Sequence, residues 1–128
     1  MGGADVLVNN AGVYLTFNLT DADAEKIRKM MYVNVVGLCL FNREVIKDIC
    51  ETETSTMDIC STFLGNVAGQ YIMDYPGNSV YTSSKHSVRV LTEGMRRELR
   101  DLGTKIKITV RTFVLAQYTL TQMIQDSV

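Results

Sequence analysis

The stretch SVYTSSKHSVRVLTEGMRRELRDLG, residues 79–103, decides how the chain folds. Its apolar residues Val88, Leu91, Met95, Leu99 and Leu102 recur at three- and four-residue spacing, which places them on one face of a helix. Gly103 stands where a helix end favours a left-handed residue, and the run KIKITV at 105–110 follows at once. A helix running into a strand is predicted.

The same alternation extends upstream. Val6 to Val8 form a short apolar run that stops at two asparagines and a glycine in DVLVNNAG, residues 5–12, the pattern of a buried strand ending in a turn. Thr20 and Asp23 have capping-box spacing before AEKIRKM, so a short helix is expected from Asp21. From Met31 to Cys50 the residues Leu38, Phe41, Val45 and Ile49 mark a second helical stripe. After the polar break ETETST at 51–56, MDICSTFLG at 57–65 is a weak strand candidate built on Ile59, Phe63 and Leu64. Residues 65–76 read as a loop, and Pro76-Gly77 as a turn. Strand and helix alternating in this order imply parallel pairing, right-handed crossovers and helices covering a sheet. At 128 residues without repeat or linker, residues 1–128 are expected to form a single domain.

Composition narrows the function classes. A net charge of −1 from well-mixed acids and bases lacks the basic stripe that nucleic acid requires, so no nucleic-acid partner is expected. Apolar runs are too short for a membrane span, and the start MGGADVLVNN is not a secretory leader. Val6 occupies the place where a myristoylation signal carries Ser or Thr. A cytoplasmic protein is the simplest reading. Cys39, Cys50 and Cys60 have no metal-ligand spacing and one histidine, His86, for company; they are expected to be buried free thiols, with no metal site.

Tyr81 and Lys85, four residues apart, share one face of the 79–103 helix. A nearby cation favours the phenolate, so Lys85 is expected to draw the Tyr81 pKa below the value of about 10 for free tyrosine. Tyr81 would then exchange a proton with a substrate oxygen. With six tyrosines and six lysines in the chain, this spacing arises by chance in roughly one such chain in four, and a solvated helix pair would show it too. Its company is more specific: NNAG at 9–12 after a strand, VNVVG at 33–37 in the second helical stripe, and VAG at 67–69 ahead of the pair.

In these motifs, and most specifically in YTSSK and NNAG, the chain resembles the classical short-chain dehydrogenase/reductase family over residues 2–111. Residues 71–109 are similar to its farnesol-dehydrogenase-like branch. The resemblance implies an α/β fold, a partial Rossmann-like doubly wound parallel sheet lacking the first strands. It implies hydride transfer between NAD or NADP and an alcohol or carbonyl substrate, farnesol-like or another small lipophilic alcohol. Tyr81 matches the catalytic acid/base, Lys85 its partner and a contact to the nicotinamide ribose, and Asn34 the asparagine that holds a water in the proton relay. Asn34 also reads as a buried amide bonded to backbone. Asn10, Ala11 and Gly12 would line the cofactor cleft.

Three departures accompany the resemblance. Asn66 stands where the family has a serine that bonds the substrate carbonyl; an amide donates a hydrogen bond but does not exchange a proton as a hydroxyl does. The family's pyrophosphate-binding glycine turn and the residue selecting NAD or NADP have no counterpart in the sequence, and a Pro-Gly expected after KIKIT is replaced by VRTFVLAQYTLTQM. The chain is thus expected to be the C-terminal catalytic part of such an enzyme, with impaired activity by itself. An alternative is a non-catalytic interaction protein, or an inactive remnant, that dimerises with an intact relative. Either reading allows a homo- or hetero-dimer through helices 31–50 and 79–102.

Overall fold

The computed structural model describes residues 6–52, 58–64, 66–72 and 76–113, with backbone alone at 52, 58–64, 66–67 and 111–113. The order of elements is β1 (Val6–Asn9), a 3-10 turn (Leu19–Asp21), α1 (Ala24–Met31), a π-helical segment (Tyr32–Gly37), α2 (Leu38–Thr52), β2 (Asp58–Leu64), a 3-10 turn (Asn66–Gly69), α3 (Ser79–Asp101) and β3 (Lys107–Phe113). The strands lie side by side as β1-β2-β3, all parallel. Val6 to Asn9 pair with Asp58 to Ser61, and the whole of β2 pairs with β3 from Asp58↔Lys107 to Leu64↔Phe113. The weak candidate at 57–65 is therefore the middle strand of the described sheet. Its backbone bonds on both sides compensate for a sequence of modest strand character.

Both crossovers pack on one face of the sheet. Leu7, Ile106 and Ile108 meet Val45, Ile46 and Ile49 of α2 and Met95 of α3, while Leu38 and Val88 close over Val110. A third cluster of Met30, Ala68 and Tyr81 takes in Val13, Leu15, Phe17 and Val80. Alternation along β1 sends Val6 and Val8 to the opposite face, where they are 57% and 55% exposed.

Several boundaries differ from the sequence reading. The first helix begins at Ala24, not Asp21, because Asp23 itself is the N-cap and its Oδ1 accepts the Glu25 N–H at 2.9 Å. The second helix is not one α-helix from 31 to 50: the π segment at 32–37 inserts a wider turn. Met30, Asn34, Leu38 and Asn42 are buried at four-residue spacing across and beyond that turn; the predicted stripe holds at Leu38, Val45 and Ile49, while Phe41 is 65% exposed and its neighbour Asn42 faces inward instead. Cys39 and Cys50 are exposed, not buried, because each follows an inward residue, Leu38 or Ile49, and successive helical residues point about 100° apart. The Cys60 side chain and residues 121–123 lie outside the described residues. On α3 the stripe holds at Val88 and Leu99, Leu91 and Met95 are half-buried, and Leu102 falls outside the helix and is exposed.

The end of α3 is the expected glycine cap. Gly103 has φ +69°; its N–H bonds the Arg100 carbonyl at 2.9 Å, and the Thr104 N–H bonds the Leu99 carbonyl at 3.1 Å, a Schellman closure. Gly77 also has a positive φ, +80°, and its carbonyl accepts the Phe17 N–H at 3.2 Å. A Cβ at Gly103 meets no heavy atom within 4 Å, whereas one at Gly77 falls 3.2 Å from Phe17 N. Gly103→Ala is therefore expected to lower the unfolding free energy by about 1 kcal/mol, the left-handed cost alone, and Gly77→Ala by more, in urea denaturation of the two variants.

Candidate active site

Asn34, in the π segment, is 3% exposed. Its Oδ1 accepts the Val13 N–H at 2.8 Å, and its Nδ2 donates to the Val13 carbonyl at 2.9 Å and to Ser84 Oγ at 3.1 Å. Ser84 Oγ in turn donates to the Tyr81 carbonyl at 2.7 Å. One side chain thus grips the loop after β1 from both backbone polar groups and reaches the first turns of α3. Both amide hydrogens are engaged, as the buried-amide reading of the sequence expects. At the strand itself, Asn9 Nδ2 donates to the buried Asn42 Oδ1 at 2.8 Å.

Tyr81 and Lys85 are brought together as their spacing requires. They are 5% and 6% exposed, and Lys85 Nζ lies 5.3 Å from the Tyr81 ring centroid, within cation–π range. The Tyr14 ring meets Tyr81 edge to face, with centroids 4.8 Å apart and planes at 81°. The electrostatic outcome differs from the sequence expectation. Burial, and secondarily the Tyr14 phenol, push the Tyr81 pKa up to about 12, and burial lowers that of Lys85. Stripping water from the phenolate outweighs the attraction of an ammonium that sits over the ring.

Asn10, Ala11 and Gly12 follow the carboxyl end of β1 and are exposed. A Cβ at Gly12 would lie 3.6 Å from both Asn34 Oδ1 and Lys85 Nζ, so a side chain there would stand in van der Waals contact with both, and its absence leaves that space beside the ammonium open. Asn10 and Ala11 also border a cleft of about 390 Å³ with Leu7, Tyr32, Val33 and Phe41. Tyr81 and Lys85 are not among its lining residues. The backbone of Asn66 opens the 3-10 turn whose Ala68 packs on Tyr81; the Asn66 side chain lies outside the described residues. His86 Nδ1 stands 3.0 Å from the Thr82 carbonyl.

Three residues that the motifs did not single out belong to this site. Ser84 has a signal, being one residue before Lys85. Asn78 has one too, as a cap-type residue just ahead of the helix. Tyr14 has none, because nothing local shows that the loop after NNAG crosses the start of α3. Among the described residues, no group of three or more His, Cys, Asp or Glu is placed to hold a metal ion, and no helix is long and apolar enough to cross a membrane.

A family model described as short chain dehydrogenase matches residues 1–128. Farnesol dehydrogenase of Aedes aegypti is 35% identical over 123 residues, covering 91% of this chain and 49% of that protein. Dehydrogenase/reductase SDR family member 11 of Homo sapiens is 29% identical, covering 84% and 40%. The chain spans about half, or less, of the length of these relatives. Among solved structures, a short chain dehydrogenase/reductase from Burkholderia phymatum in complex with NAD superposes with a TM-score of 0.72 at 30% identity, over 84% of this chain and 37% of that one. ElxO with NADP bound gives 0.75 at 27% identity, over 97% and 48%.

The raised Tyr81 pKa has a consequence for stability. Tyr81 binds its proton more tightly folded than unfolded, so its contribution is complete below about pH 10 and is lost as pH rises toward about 12. Tyr81→Phe is expected to flatten this alkaline decline, as read from urea denaturation curves taken between about pH 9 and about pH 11.

Proposed function

The chain belongs to the short-chain dehydrogenase family, and we propose that residues 1–128 form the catalytic-residue-bearing domain of an NAD(P)-dependent alcohol or carbonyl oxidoreductase. The observation that carries this reading is the convergence of Tyr81, Lys85, Asn34 and the Gly12 backbone at one point. The nicotinamide cofactor supplies the hydride acceptor or donor. Gly12 fits such a ligand because its bare Cα leaves the approach to Lys85 Nζ open. Asn10 and Ala11 continue that wall at the carboxyl end of a parallel strand, where ligands of such sheets bind.

In this mechanism the Tyr81 phenol gives its proton to a carbonyl oxygen during reduction and takes one from an alcohol during oxidation. Lys85 orients the ribose and adds positive charge beside the phenol. Asn66 donates a hydrogen bond to the substrate oxygen, in place of the family serine, without entering the proton exchange. Because both amide hydrogens of Asn34 are committed, a relay water at this residue would donate to one of its acceptors. A phenol held up near 12 in the ligand-free site is fully protonated at neutral pH, the form from which carbonyl reduction starts, and it is a weak acid that charge brought by bound ligand would have to strengthen. A small lipophilic alcohol or aldehyde is the substrate class, supported by the farnesol dehydrogenase relative and by the exposed Tyr71 and Ile72 beyond the 66–69 turn.

We also place a dimer contact on α2 and α3. A groove of about 500 Å³ between them combines half-buried Leu91 and Met95 with Arg43 and Lys47 on one side and Glu98 on the other. A second copy turned end for end brings unlike charges together. A non-catalytic partner of an intact relative would use the same face, and Asn66 favours that second reading.

The test uses the whole protein as it occurs in the cell, with nicotinamide absorbance as readout. Tyr81→Phe is expected to lower kcat by about 10²- to 10⁴-fold with cofactor binding retained, and Asn66→Ser to raise it. Turnover undiminished in Tyr81→Phe would overturn the assignment.

A further inference from the structure

Asn78 occupies the N-cap position of α3, yet its side chain makes no capping bond. It is 4% exposed, and its Oδ1 instead accepts the Tyr14 hydroxyl at 2.5 Å, across 64 residues of chain. An asparagine at this place ordinarily accepts a backbone N–H of the first turn. Here that acceptor is turned to a phenol from another element. The ring of the same tyrosine rests edge to face on Tyr81, three residues into the helix.

We infer that Tyr14 and Asn78 form a clamp that fixes where the Tyr81 phenol stands, which makes both of them positioning residues for the proton transfer proposed above. The inference rests on that reading of Tyr81. The strap carrying Tyr14 is held on both sides, by the paired Val13–Asn34 bonds and by Phe17 N–H on the Gly77 carbonyl. Tyr14 therefore has little freedom to swing, and its phenol end and ring face are gripped at once.

Groups from several elements face Tyr81 among the described residues. Tyr14 approaches from the loop and Lys85 from its own helix, while α1 and the 66–69 turn present the uncharged Met30 and Ala68. Tyr14 is thus the one second phenol in that set, and its influence on Tyr81 is upward. A misplaced proton donor slows the chemical step, and loss of a neighbouring phenol moves its titration. These are separable effects.

The experiment is a double-mutant cycle in the whole protein with Tyr14→Phe, Asn78→Ala and the pair. Plateau kcat, cofactor KM and the pH midpoint of alcohol oxidation are measured. The ζ-carbon resonance of Tyr81, identified by its loss in Tyr81→Phe, is followed with pH. Tyr14→Phe keeps the ring and is expected to lower plateau kcat by about tenfold, leave cofactor KM unchanged, and move the midpoint and the resonance titration to lower pH. The double variant should lose no more than either single one, as two ends of one bond do. A Tyr14→Phe protein with wild-type plateau kcat overturns the clamp, whatever its midpoint. If the unmodified protein turns nothing over, the reaction assignment fails by itself, and the Tyr81 resonance in Asn78→Ala, which keeps both phenols, decides: a changed position supports the clamp and an unchanged one overturns it.

Discussion

The carboxamide of Asn34 is the contact on which the rest of the site depends. It bonds both backbone polar groups of Val13 and the hydroxyl of Ser84, so the loop leaving β1, the π segment and α3 share one buried junction. An amide is suited to this place because it offers an acceptor and two donors in one plane. Replacing it by an apolar residue would leave the part-buried Val13 groups without their bonds and remove the donor to Ser84 Oγ, which would keep only its bond to the Tyr81 carbonyl. The π turn has a related effect further along: it keeps Asn34, Leu38 and Asn42 on the inner side, and Asn42 then holds Asn9 at the head of the NNAG turn.

A second constraint is the balance between burial and charge at Tyr81 and Lys85. Each is almost wholly enclosed by protein, and each is driven by that enclosure toward its neutral form, the phenol upward and the ammonium downward. The site thus holds a phenol and an amine whose proton affinities are driven apart, packed within cation–π distance. Withdrawing water holds a phenol in its protonated form and moves it away from neutral pH, the reverse of what the same burial does for a carboxyl group. The second tyrosine belongs to this enclosure: its ring, set edge to face, packs against Tyr81 without introducing a full charge.

The sheet has a face of a different kind. Leu7, Ile106, Ile108 and Val110 are covered by α2 and α3, whereas Val6 and Val8 on the other side are more than half exposed. Parallel sheets are normally covered on both faces. The chain matches about half, or less, of its curated relatives, and β1 pairs with β2 alone among the described residues. The one-sided layer and the apolar character of β1 belong together.

Much of this was legible in the sequence. Local spacing located β1, the helix from Ser79 to Asp101, the Gly103 cap and the joint presentation of Tyr81 and Lys85, because periodicity and left-handed caps are decided within a few residues. The family resemblance rested on motifs of the same short range. The stripe of α2 was legible at Leu38, Val45 and Ile49 but not at its middle: Asn42, bonded to Asn9, takes the inward place expected of Phe41, and Cys39 and Cys50 each lie one residue past an inward one. Nor was the direction of the Tyr81 pKa, since Lys85 is four residues away in sequence but desolvation is the work of Met30, Ala68 and Tyr14 from three other segments. The sequence by itself determined which groups can carry protons and which elements hold them. Only the tertiary structure decided how dry those groups are and what they touch, because burial and long-range hydrogen bonds are properties of segments brought together.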